Sequence, residues 1–217
     1  MSTAPEKMAA LRLLIAERFP TAPQREGSRL ASGIAEIDEP TGGGLPTAAL
    51  TELTCTAASS GSHLLLGQLL AVTRRKGQRA ALVDPTNRFN PESLPASDLE
   101  HLVWARGGNT ATAMSVTDLF ARDANLGLVV LDLRDAPATE LRRVPAPLWY
   151  RLQRAVEGTE LTLLVITPRA VVPSATLRLQ LSQPLTLQAL QTDRPAILPQ
   201  LDISLPRQRS IRQSLSA

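Results

Sequence analysis

Cysteine is nearly absent from this chain. Cys55 is the only one in 217 residues, which excludes an internal disulfide framework and a cysteine-rich zinc site. The two histidines, His63 and His101, are too few for a histidine-based metal site, so no metal is expected. Aromatic residues make up 3% of the chain, leaving little material for a stacking platform on single-stranded nucleic acid. Lysine is also scarce: of 23 basic residues only Lys7 and Lys76 are lysine. No apolar run approaches the roughly 20 residues that span a bilayer. Residues 1–19 carry Glu6, Lys7, Arg12, Glu17 and Arg18, a pattern unlike a signal peptide. A reducing, cytoplasmic setting is expected.

What the chain does have is a 43% hydrophobic fraction, enough for one packed domain, and an arginine-rich positive charge. Its 20 acidic residues reduce the net charge to +3. A pI near 9.7 permits contact with nucleic acid without requiring it.

Helical spacing of Met8, Leu11, Leu14, Ile15 and Phe19 predicts an amphipathic helix over 6–19. Pro20 ends it, and a linker follows to residue 27. Such a helix can fold back on its own core or dock on another protein, and both readings stand. From residue 28 apolar strands alternate with helices. Strands are predicted at Ala49–Cys55, Arg79–Asp84, Leu102–Ala105, 126–133 and 161–167, and helices at His63–Arg75, about 110–123 and about 146–157. Two further strands are predicted within 175–191 (ATLRLQLS and PLTLQALQ). This order predicts an α/β fold with a mostly parallel, twisted sheet flanked by helices and an antiparallel edge at its C-terminal end. Residues 192–217, interrupted by Pro195, Pro199 and Pro206, read as an arginine-rich tail.

Several segments in sequence carry a resemblance. Leu30–Asp38, then Gly43-Gly44-Leu45-Pro46, then Leu50-Thr51-Glu52-Leu53 resemble the approach to the phosphate loop of a RecA-type ATPase core. Ala80–Asp84 is similar to that family's second core strand, Leu128–Asp132 to its Walker B strand, and Leu163–Thr167 to the strand before its second DNA-binding loop. The resemblance covers about 28–191 and implies a RecA-like core.

The departures matter as much. A working phosphate loop reads G-x-x-x-x-G-K-[ST]: backbone N–H groups cradle the phosphates, lysine reaches the β/γ oxygens and the hydroxyl binds magnesium. Here Thr56 stands for the first glycine, Ser62 for the lysine and His63 for the magnesium ligand, leaving Gly61 alone in place. Thr86 stands where the family places its catalytic glutamate, and Asp132 keeps the Walker B carboxylate. The resemblance thus implies a pseudo-ATPase without catalytic residues or cofactor. For Ser59–His63 two readings remain: a weak anion site at a helix N-terminus, or a tight strand-to-helix turn that has lost its ligand. The second DNA-binding loop is at most Pro168–Ser174 with Arg169 its only charge, short and neutral for a phosphate backbone.

Among degenerate RecA relatives the chain most resembles the ImuA family of mutasome accessory proteins. That resemblance implies a nucleoid-associated role in error-prone translesion synthesis after DNA damage. The partners it implies are an ImuB-like Y-family polymerase homologue, RecA, or a second copy, with residues 6–19 as the contact region. Rival readings are a SulA-like division inhibitor that binds FtsZ, a divergent NTPase, and a DNA-binding module.

Arg207, Arg209 and Arg212 are the candidate DNA contacts in the tail. Arg142, Arg143, Arg151 and Arg154 form either a basic face or a solvated face paired with Glu140 and Glu157. Arg74, Arg75, Lys76 and Arg79 are favoured by a helix C-terminus alone. Cys55 is expected as a small buried residue, and His63 and His101 as capping or packing residues.

Overall fold

A computed structural model describes residues 28–208. The predicted helix with Met8, Leu11, Leu14, Ile15 and Phe19 lies outside the described residues, as do Arg209 and Arg212.

The glycine-rich segment forms a small antechamber. Strand β1 (Arg29–Leu30) pairs antiparallel with β2 (Leu45–Pro46) around a short helix, α1 (Ala35–Thr41). Asp38 holds this turn together by accepting from Ser32 N at 2.8 Å, Ser32 Oγ at 2.7 Å and Gly33 N at 2.9 Å. Gly44 is required on two counts. Its φ is +120°, and a Cβ there would sit 2.2 Å from the Leu30 carbonyl oxygen.

The main sheet comprises β3 (Ala49–Cys55), β4 (Arg79–Asp84), β5 (Leu102–Arg106), β6 (Leu126–Asp132), β7 (Thr162–Thr167), β8 (Leu177–Leu181) and β9 (Ile203–Gln208). Their spatial order is β5-β4-β6-β7-β3-β8-β9, parallel throughout except for β9. Every residue of β6 and β7 is buried, as expected of parallel strands covered on both faces. Leu128, Val130, Leu164 and Ile166 pack under helix α2 (Ser62–Arg75). The alternate residues Val129, Leu131, Leu163 and Val165 pack with Met114 of α3 (Thr110–Phe120), Leu141 of α4 (Ala138–Arg143) and Trp149 of α5 (Ala146–Val156). The α/β architecture and mostly parallel sheet expected from the sequence are therefore present, in the arrangement of a RecA-like core.

The C-terminal edge corrects the sequence reading. Residues 184–191 do not form a strand. They run as a loop into a 3-10 turn at Leu187–Gln191, where Leu190 departs from the two-residue alternation of Leu185, Leu187 and Ala189. The place beside β8 is taken instead by β9, from the segment read as a tail. Ile203 and Leu205 of β9 alternate onto the core with period two. A one-turn helix, α6 (Arg194–Ile197), precedes it. The short helices α1 and α4 also escaped the sequence reading; neither is long enough to develop an amphipathic period.

Candidate functional site

The chain leaves β3 over α2 and re-enters the sheet at β4, beyond β7 and β6, while β8 flanks β3 on the other side. A reversal of this kind opens a crevice at the C-terminal ends of the strands, where α/β proteins place ligands. Loop 56–61 and the start of α2 line it. Ser59 and Gly61 take left-handed φ values of 54° and 92°. Leu64 N and Leu65 N return to the Gly61 carbonyl, whereas the N–H groups of Ala57–His63 donate to no described residue. The resulting cavity is about 610 Å³, bounded by residues 55–64, Arg134, Asp135, Pro168 and residues 185–187.

The C-terminal segment closes one side of this cavity. Leu185 N donates to the Ser59 carbonyl at 2.9 Å, and a Cβ on Gly61 would lie 2.3 Å from Leu201 Cδ2. Gly61 is thus fixed twice, by its backbone conformation and by the leucine pressed against it.

The centre of the site is a residue that sequence reasoning missed. Arg134, two residues past the end of β6, turns its guanidinium back into the crevice. Nε donates to Asp132 Oδ1 at 2.9 Å and Nη2 to Oδ2 at 2.5 Å, while the Arg134 backbone N–H also reaches Oδ1 at 3.2 Å. Nη1 donates to Ser62 Oγ, and Nη2 lies 3.1 Å from His63 Nε2. Guanidinium nitrogens only donate, so His63 accepts there as the neutral ring with its proton on Nδ1. The Asp132 side chain is 3% exposed and that of Arg134 13%. Thus Ser62, His63 and Asp132, three positions singled out from the sequence, are joined by one cation supplied from a fourth. A lone arginine in LDLRD carries no periodic signal; the only hint was its spacing of two from Asp132 across a strand end.

The electrostatics follow from this geometry. Burial alone would lower the Arg134 pKa, but hydrogen bonding and the charge of Asp132 more than offset it, so its pKa is raised. Desolvation and the neighbouring Arg134 charge lower the pKa of His63. Burial pushes the Cys55 thiol up, away from thiolate chemistry. Cys55 is half-buried and lines the cavity instead of sitting wholly in the core. Thr56 is drawn to β8, its N–H donating to the Leu181 carbonyl at 3.1 Å. Behind His63 stands Phe89, 6.5 Å away between ring centroids, packed edge-on against Trp104. Thr86 Oγ1 lies 3.4 Å from the buried Asp84, whose other oxygen accepts from Phe89 N.

Glu52, fully buried on β3, organises the neighbouring loop. It accepts from Thr167 Oγ1 at 3.1 Å, Val171 N at 2.7 Å, Val172 N at 3.1 Å and Arg178 Nε at 2.6 Å. The segment Pro168–Ser174 is held to the sheet by this carboxylate.

Other sequence candidates fall elsewhere. Arg207 lies on β9, in register with Arg178 of β8, and away from the crevice. Arg151 pairs with Asp118 at 3.3 Å, and Glu140 accepts from Thr110 N at 2.9 Å, so the anticipated pairing with Glu140 and Glu157 is not the one that holds Arg151. His101 packs against α2, its Nε2 2.8 Å from Thr73 Oγ1. Trp149 is buried and Tyr150 is 49% exposed. Among the described residues no helix is long and apolar enough to cross a membrane.

The mostly parallel sheet flanked by helices is consistent with a RecA-like core. No protein-family model matches the chain, but curated proteins do. The chain is 27% identical to Protein RecA of Picosynechococcus sp. over 145 residues, which is 61% of this chain and 41% of that protein. It is 31% identical to the chloroplastic DNA repair protein recA homolog 1 of Arabidopsis thaliana over 104 residues, 47% of this chain and 24% of that protein. It is 30% identical to Protein RecA of Nostoc punctiforme over 105 residues, 48% of this chain and 29% of that protein. The chain spans less than half the length of these relatives. The similarity supports placing it with the RecA-like proteins.

Proposed function

We propose that this chain is a RecA-like accessory protein of the DNA-damage response that does not hydrolyse ATP. It acts as a scaffold in an error-prone translesion synthesis complex, in the manner of the ImuA family. The similarity to proteins named for RecA and for DNA repair supports the broader part of this reading.

One observation carries the non-catalytic part: the guanidinium of Arg134 sits between Asp132 and the pair Ser62 and His63. These residues do not fit a magnesium nucleotide. A lysine would have to reach the β/γ oxygens from position 62, where a short hydroxyl stands. The carboxylate that would steady the metal's waters is already paired on both oxygens. His63, in place of the hydroxyl ligand, accepts from the same arginine. Both the cation and the anion of the site are satisfied within the protein.

In this reading the partners are an ImuB-like Y-family polymerase homologue and RecA or a second copy, with no cofactor. Two measurements test it. Calorimetry with ATP and magnesium should show no metal-dependent binding, and a phosphate-release assay no turnover. Co-purification with a Y-family polymerase homologue should succeed. ATP turnover abolished by Asp132→Ala would overturn the non-catalytic reading, and failure of the purified proteins to associate would overturn the scaffold role.

A further inference from the structure

Strands β8 and β9 are antiparallel neighbours whose register ends at the pair Leu181 and Ile203. A tight turn of about two residues can join such a pair, yet residues 182–202 lie between them. The excursion leaves and returns at one point, and its neck is tied by Ser182 Oγ donating to Asp202 Oδ2 at 2.7 Å. It has the form of an extended Ω-loop, closed at its base and carrying only 3-10 turns and the one-turn helix α6. Long excursions between adjacent elements commonly serve as lids or binding loops.

The excursion has a seat on the crevice. Leu185, Thr186 and Leu187 form one wall of the 610 Å³ cavity, and Leu201 presses on Gly61. Farther along α2, a Cβ on Gly67 would stand 3.3 Å from Arg194 Nη1 and 2.6 Å from Leu94 Cδ2. Glycine inside a helix weakens it; here it clears the way for Arg194 and Leu94.

What holds the excursion down is sparse. Among the described residues one backbone hydrogen bond joins it to the body of the domain, from Leu185 N to the Ser59 carbonyl. Its other hydrogen bonds, such as those from Ala189 N to Thr186 O and from Leu201 N to Leu198 O, run within the excursion itself. The remaining grip is apolar: Ile197 and Leu201 are buried, Leu185 and Leu198 partly so. Leu187, 84% exposed at the rim of the crevice, adds little to it. By contrast β8 is bonded to β3 on one side and to β9 on the other. A segment with few ties to a firmly bonded base opens at a lower free energy than the whole domain.

We propose that residues 182–202 are a lid. It swings about its neck between β8 and β9, lifts Leu185 and Leu201 from the Ser59–Gly61 turn, and gates access to the crevice while the sheet stays intact. The structure holds it closed. This gating goes beyond the scaffold role and does not depend on it.

Cys55 supplies the readout, since it lines the same cavity as Leu185, Thr186 and Leu187 and is the chain's one thiol. The full chain is labelled with fluorescein maleimide at fixed pH, in urea concentrations below the unfolding transition. Wild-type labelling should be slow and nearly independent of urea, because a local opening exposes little surface. Leu201→Ala should speed it about tenfold or more, and Leu201→Val supplies a milder change should the alanine variant not fold. Leu152→Ala empties a buried position on the opposite face of the sheet. It controls for general loss of stability and should leave the rate in dilute urea near that of wild type. Hydrogen exchange should quicken at the Leu185 and Leu201 amides of the Leu201 variant while the amides of β8 and β9 keep their protection. Wild-type labelling as fast as that of the unfolded chain, or labelling that follows the full urea dependence of unfolding, overturns the lid. So does a Leu201 variant that leaves labelling unchanged, or one that speeds it, like Leu152→Ala, only in proportion to the stability lost.

Discussion

Replacing Arg134 with alanine tests the central geometry most directly. The substitution removes the partner of a carboxylate that is 3% exposed and leaves Asp132 with only the backbone N–H of residue 134. Removing one member of a buried pair costs about 3–5 kcal/mol, because the other charge stays buried and unpaired. Since the Arg134 side chain retains 13% exposure, water can enter its place, and the lower end, about 3 kcal/mol, is expected. For a domain of this size that corresponds to a fall in melting temperature of roughly 6–12 °C. Urea titration of wild type, Arg134→Ala and the double variant Asp132→Val with Arg134→Leu supplies the comparison. Removing both charges together should cost less than removing the arginine alone, since apolar replacement of a whole buried pair is often near neutral. A cost below about 1 kcal/mol for Arg134→Ala, with the double variant no better, would refute a buried pair that joins β6 to α2.

Other outcomes follow from the same coordinates. The pKa of His63 is lowered by burial and by Arg134, so below its ordinary value of 6.5 the unfolded chain takes up a proton that the folded one refuses. Stability should therefore fall as pH drops from about 7 toward 5. His63→Gln, which keeps an acceptor for Arg134, should flatten that decline in part. The remainder belongs to His101, lowered by burial and Arg74, and an unchanged slope would contradict the assignment. Glu52→Gln weakens the tie between β3 and Val171, Val172 and Arg178. It should cost about 3 kcal/mol and speed hydrogen exchange at Val171 and Val172 above all. Gly61→Ala meets both the φ of +92° and the contact with Leu201. A loss of about 1–3 kcal/mol is expected in thermal denaturation, relieved in part by Leu201→Ala.

How far the sequence could be read differs from element to element. Strands β4, β6 and β7 fall within a residue of where expected, because buried parallel strands are near-continuous apolar runs. Helices α2 and α5 were legible from their helical spacing. The edge was not. PLTLQALQ and ISLPRQ both alternate over short stretches, and which one pairs with β8 depends on how the intervening chain can cross loop 56–61 to pack Leu185 and Leu201 on it. Likewise Ser62, His63 and Asp132 stood out by comparison with a known pattern, but Arg134 did not, since its role arises from a meeting across 72 positions in the chain.

The amino-acid sequence alone determined the alternating α/β order, the shortage of lysine and the presence of Ser62 and His63 in the strand-to-helix turn, because these are matters of local periodicity and residue type. Tertiary structure decided what those two residues meet. When strand order brings the ends of β3 and β6 into one crevice, a buried carboxylate without a cation would be costly, and the nearest side chain able to satisfy it, Ser62 and His63 at once is the fork of Arg134.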